Sequence, residues 1–159
     1  MINSIKGDVL TSSGIIAHCV NNKGVMGSGI ALSIRNKWPK AFEEYQKRYR
    51  QWKDTEERDS EYGIFGECQL VQVSDTVAVA NIGGQWNYGN DGKKYVRYDA
   101  LDTAFAQLYD MLPKDSKNRT VVNFPLLGCD RAGGEWSIVS AIIDFRLPDE
   151  YFIKNLYTL

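Results

Sequence analysis

Ile15-Ile16-Ala17-His18-Cys19-Val20-Asn21-Asn22-Lys23-Gly24-Val25-Met26-Gly27-Ser28-Gly29-Ile30-Ala31 decides the architecture of this chain. An apolar run with β-branched residues enters a glycine-rich turn, and a helical pattern leaves it. Ile30, Ile34 and Trp38 share one face behind a candidate cap at Ser28. A second stretch repeats the arrangement: Val121-Val122-Asn123-Phe124-Pro125-Leu126-Leu127-Gly128-Cys129-Asp130-Arg131-Ala132-Gly133-Gly134-Glu135-Trp136. Glycine lets backbone N–H groups converge on one anion, and a helix starting there turns the positive end of its dipole toward it. Each turn therefore has the makings of a phosphate cradle, and two in one small chain point to a ligand with two phosphates.

Outward from these turns, short β-rich runs alternate with helical periods. Ile2 to Ile5, Ile15 to Val20, Gln69 to Val73, Val77 to Ile82, Thr120 to Phe124 and Phe152 to Tyr157 read as strands. Several are too apolar for a face in water, so the sheet should be covered on both sides. Pro39 can open a charged helix toward Arg50. Leu101, Ala104, Phe105, Leu108 and Leu112 form the clearest helical stripe, and Trp136, Val139 and Ile143 mark a last helix stopped before Pro148. Residues 51–61 are almost wholly polar and read as a solvated helix end and loop. Residues 83–95 form a Gly/Asn/aromatic loop suited to a rim or lid. The pattern predicts one three-layer α/β domain over residues 1–159.

Composition narrows the function classes. The 159 residues carry 19 Lys and Arg against 20 Asp and Glu, a net charge of -1, so no general field draws nucleic acid or anionic membrane. Cys19, Cys68 and Cys129 form no C-x-x-C pair, and His18 is the only histidine, which argues against a disulfide scaffold and a histidine metal site. No signal-like start or membrane-length apolar run is present, so a cytoplasmic address is expected. A dinucleotide-binding dehydrogenase is disfavoured because the first turn lacks G-x-G-x-x-G.

Four features in order resemble a macro domain: Gly7-Asp8 after the first strand, His18-Cys19-Val20-Asn21-Asn22 running into Met26-Gly27-Ser28-Gly29-Ile30-Ala31, Pro125 to Cys129 with Gly133-Gly134-Glu135-Trp136, and terminal Tyr157-Thr158-Leu159. The resemblance implies a mixed central sheet of about six strands with helices on both faces. It is nearest to the branch of ADP-ribose 1″-phosphate phosphatases and of hydrolases that remove ADP-ribose from glutamate or DNA. The implied partner is ADP-ribose or its 1″-phosphate, free or on a modified macromolecule, with no metal or cofactor, no membrane contact and a monomeric state.

The resemblance also assigns residues. Asp8, with Val9 beside it, would accept from the adenine amino group, although Gly-Asp is also ordinary turn chemistry. Gly27, Ser28 and Gly29, flanked by Met26 and Ile30, would hold the diphosphate. Leu127, Gly128, Cys129, Asp130, Arg131, Ala132 and Gly133 would close over the second phosphate and distal ribose. Asn21 and Asn22 would face that ribose, and Gln85 would reach a phosphate from the rim. His18, Asn21 and Asp130 are the candidates for positioning water, while His18 on an apolar strand has an equal reading as a hydrogen-bonded structural residue. Two departures count against lysine-mediated hydrolysis: Ala132 stands where those hydrolases carry an aspartate, and no lysine follows Asn81-Ile82-Gly83-Gly84-Gln85 before the long loop. Phosphate release from ADP-ribose 1″-phosphate is thus the leading expectation. A non-catalytic ADP-ribose reader and a hydrolase of ADP-ribosylated protein or nucleic acid are the alternatives.

Overall fold

A computed structural model describes residues 1–54, 64–87, 93–129 and 132–159. The order is β1 (Ile2–Lys6), a 3-10 turn (Val9–Thr11), β2 (Gly14–Cys19), α1 (Gly29–Lys37), α2 (Pro39–Lys53), β3 (Cys68–Gln72), β4 (Val77–Ile82), α3 (Tyr98–Met111), β5 (Thr120–Phe124), α4 (Trp136–Arg146) and β6 (Phe152–Thr158). All six expected strands and four expected helices form, with ends shifted by a residue or two. The tail of the polar 51–61 segment and the centre of the 83–95 loop, including Tyr88, lie outside the described residues.

One six-stranded sheet runs β1-β6-β5-β2-β4-β3, parallel throughout except for β3 against β4. Successive side chains alternate between the two faces of the sheet, and both faces of the central strands β2 and β4 are buried. Ile15, Ala17 and Cys19 of β2 join Ala80 and Ile82 of β4 beneath Leu101, Ala104, Phe105 and Leu108 of α3 and Val139 and Ile143 of α4. On the other face, Ile16 packs with Val9, and Val79 with Ile34 of α1 and Ala41 of α2. The sheet is therefore mixed, as the resemblance implies, and sandwiched between an α1/α2 layer and an α3/α4 layer, as the strand pattern predicts.

This topology sets up a crevice. From β2 the chain leaves into the α1/α2 layer, and from its parallel neighbour β5 it leaves into α4 on the opposite face. Both glycine turns leave the carboxyl ends of these adjacent strands, at the divergence where α/β sheets take ligands.

Close packing at the end of β4 holds the rim. Gly83 accepts from Gly66 N–H at 2.7 Å and donates to Glu67 O at 2.8 Å. A Cβ there would stand 2.0 Å from the Ile64 carbonyl oxygen. Gly83→Ala is accordingly expected to cost roughly 3 kcal/mol of stability through forced backbone displacement. Urea denaturation reads this directly, and a wild-type midpoint would mean that the 64–67 segment gives way freely.

Candidate functional site

The first turn splits into a pinned half and an open half. In residues 21–25, Asn21 Oδ1 accepts from Lys23 N–H at 2.9 Å and from the Tyr45 hydroxyl at 2.8 Å, and Asn21 Nδ2 donates to Val25 O at 3.0 Å. Tyr45, wholly buried on α2, shares that single hydroxyl hydrogen with Asn21 O at 2.7 Å and accepts from Gly24 N–H at 3.1 Å. Met26 is buried, and then Gly27, Ser28 and Gly29 emerge into solvent. A Cβ on Gly27 or Gly29 would meet nothing within 4 Å. Ser28 takes the N-cap position of α1, but its side chain makes no capping bond. The first-turn N–H groups of α1, unsatisfied within any helix, stand beside this open space, with Ile30 half-buried below.

The second turn is built differently. Leu127 N–H donates to Pro125 O at 2.7 Å, Cys129 N–H to Leu126 O at 3.2 Å and Gly134 N–H to Gly128 O at 2.8 Å. Ala132 O accepts from both Tyr95 and Val96 N–H, at 2.8 and 3.1 Å. Its glycines answer to packing: a Cβ on Gly134 would lie 2.4 Å from Gly128 O, and one on Gly133, at φ +77°, 3.1 Å from Lys94 Cα. Among the described residues of this turn, the Leu127, Cys129 and Gly134 N–H groups are thus spent on its own shape. Asp130 and Arg131 lie outside the described residues.

Around these turns, Asp8 is exposed and caps the 3-10 turn, its Oδ1 accepting from Leu10 N–H at 2.9 Å, while Val9 is core. Gln85 lies against the first turn through its N–H to Val20 O at 3.2 Å, and its amide donates to Asn87 O at 3.3 Å. Asn22 keeps a buried Oδ1 with no partner among the described residues.

His18 does not reach the crevice. It is fully buried, and Nε2 lies 2.6 Å from Asn81 Oδ1 on β4, its direct neighbour in register. Asn81 Nδ2 donates to Ala41 O and Gln69 Oε1, so its oxygen faces the ring and Nε2 carries the hydrogen. Burial, partly offset by the Asn81 bond, lowers the His18 pKa to about 4. The ring is neutral at pH 7 and has no surface from which to touch a ligand. This corrects the expectation that it positions water, for a physical reason: on a strand covered on both faces, a histidine side chain enters a helix layer. Asn21 differs too, since its side chain organises its own turn.

The cysteines are quiet. Burial raises Cys19 and Cys68 to about 12 and Cys129 to about 11. Among the described residues no group of three His, Cys, Asp and Glu side chains is placed to hold a metal ion, and no helix is long and apolar enough to cross a membrane. Sequence reasoning passes over Tyr45 and Asn81. The available signal for Tyr45 was its place four residues after Ala41 on a charged helix, which puts both on the buried stripe.

The macro domain family model matches residues 17–143. A Bacteroides thetaiotaomicron protein of unknown function is 28% identical, with a TM-score of 0.83 and coverage of 100% of this chain and 98% of that one. A Streptomyces coelicolor macrodomain protein is 29% identical, with a TM-score of 0.77 and coverage of 100% and 99%. Thermosipho africanus DarTG, solved in complex with ADP-ribose, is 18% identical with a TM-score of 0.70, covering 98% of this chain and 41% of its own, and shares the fold. No curated protein sequence matches the chain.

Proposed function

The chain belongs to the macro domain family, and from that premise we propose that it binds ADP-ribose and hydrolyses ADP-ribose 1″-phosphate to ADP-ribose and phosphate. One observation carries the reading: Gly27 and Gly29 face open space at the start of α1, beside the turn that leaves the adjacent parallel strand. N–H groups there can take the diphosphate, and the helix dipole favours its charge.

Hydrolysis consumes one water, the ribose recovering a hydroxyl at C1″ and phosphate leaving as the hydrogen phosphate. With no lysine in Asn81 to Gln85 for a covalent intermediate, the work falls to fixed donors that meet charge developing in the transition state. Asn21 keeps one amide hydrogen beyond its bond to Val25, and Asp130 is the carboxylate proposed to orient the water. His18 contributes by tying β2 to β4 under the turn. The test is phosphate release from ADP-ribose 1″-phosphate by purified protein, expected to exceed that of Gly29→Glu and to fall at least about tenfold in Asp130→Asn. Release no greater than in the Gly29→Glu control overturns the activity.

A second reading has its own support. With His18 buried and neutral and Asn21 engaged in its turn, the described part of the site is rich in donors and poor in acid–base groups. That favours a reader of ADP-ribose. Calorimetric binding without turnover selects it.

A further inference from the structure

We propose that Tyr45, on α2 and outside both glycine turns, is the positioning residue of the open cradle. This rests on the reading that the first turn binds ADP-ribose. Three polar groups of the turn converge on one buried oxygen: Asn21 O and Oδ1 at 2.7 and 2.8 Å, and Gly24 N–H at 3.1 Å. A phenol has a single hydrogen, shared here between the two Asn21 oxygens, and one lone pair accepts from Gly24 N–H, so the hydroxyl's donor is spent wholly on residue 21. Its own acidity is suppressed, burial raising the Tyr45 pKa above its ordinary value.

The rest of α2 enforces the same seating. Gly24 sits at φ +76°, and a Cβ there would lie 2.5 Å from Tyr49 Cδ1, so the turn rests directly on the tyrosine one helical turn further along. The Tyr45 ring packs with Val20 and Met26, which bracket the turn, and with Ile64. Between buried Met26 and half-buried Ile30 only Gly27, Ser28 and Gly29 are exposed. The open segment is thus three residues on a frame whose upstream end is fixed by a side chain from a different element. No ligand contact is needed for this role, since the hydroxyl is wholly buried.

Tyr45→Phe keeps the ring and deletes the oxygen, leaving Gly24 N–H and the Asn21 groups without that partner. The variant is to be compared with Leu108→Ala, a core substitution in α3 of comparable or greater thermal cost. Expected are loss of amide-exchange protection at Gly24, shifted amide resonances at Gly27 and Gly29 in the free protein, and ADP-ribose affinity weakened about tenfold. Leu108→Ala should melt earlier yet keep wild-type affinity when measured below its melting transition. Unchanged exchange at Gly24, or an affinity loss no larger than in Leu108→Ala, overturns the proposal. If wild-type protein does not bind ADP-ribose, the functional reading falls, and the exchange and resonance measurements on the free protein still decide whether Tyr45 sets the turn.

Discussion

Gly27→Glu is expected to abolish ADP-ribose binding, by at least about a hundredfold or roughly 3 kcal/mol, while the protein melts close to wild type. The separation follows from geometry. Gly27 has no positive φ, and a side chain there enters open space, so the fold has little to lose. The same space is where the diphosphate is read to sit, so a carboxylate brings both steric exclusion and like charge to the helix start. Gly27→Ala should give a smaller loss through bulk alone. Gly29 is a less clean position, because its φ of +58° adds backbone strain to any substitution. Calorimetry with a parallel thermal melt reads both effects, and near-wild-type affinity in Gly27→Glu would put the ligand somewhere else.

Acidification from pH 6.5 to pH 4 should cost about 3 kcal/mol of folding stability through His18 alone. Its native pKa of about 4 lies below the ordinary 6.5, so within that window the unfolded chain takes up a proton that the native protein refuses. Stability is complete above the unfolded value and declines as pH falls toward the native one. The cause is legible in the contacts: Nε2 is committed to Asn81, while Nδ1 is buried and, among the described residues, has no acceptor for a second N–H. His18→Gln should flatten this part of the stability–pH curve, whatever its cost at neutral pH. Urea midpoints for both proteins across the range provide the measurement, and parallel curves would sink the assignment.

The strands and helices were legible because each obeys a local rule. The 77–82 run, apolar except for Asn81, predicts a strand covered on both faces, and β4 is buried at every position. Pro39 opens α2, and the α3 stripe from Leu101 to Leu108 is the stripe that packs. The first turn was legible as well, since a glycine cluster before a helix has few uses. What sequence does not carry is which glycines face open space and which face the protein: Gly27 and Gly134 look alike as letters, yet a Cβ on one meets nothing within 4 Å and on the other meets Gly128 O at 2.4 Å. Nor does it carry long-range polar pairing. His18 with Asn81 and Asn21 with Tyr45 are separated by 63 and 24 residues, so the burial of one and the engagement of the other appear only once strands and helices are stacked.

The placement of the three cysteine thiols, two buried and one half-buried, has a practical corollary. Even at the most acidic of them, Cys129, a pKa of about 11 leaves only about one in ten thousand side chains ionised at neutral pH. Maleimide and disulfide-exchange reagents attack the anion, so native protein should remain essentially unlabelled during a brief treatment. A cysteine introduced at exposed Ser137 would then accept a fluorophore selectively, without first stripping the natural thiols from the core.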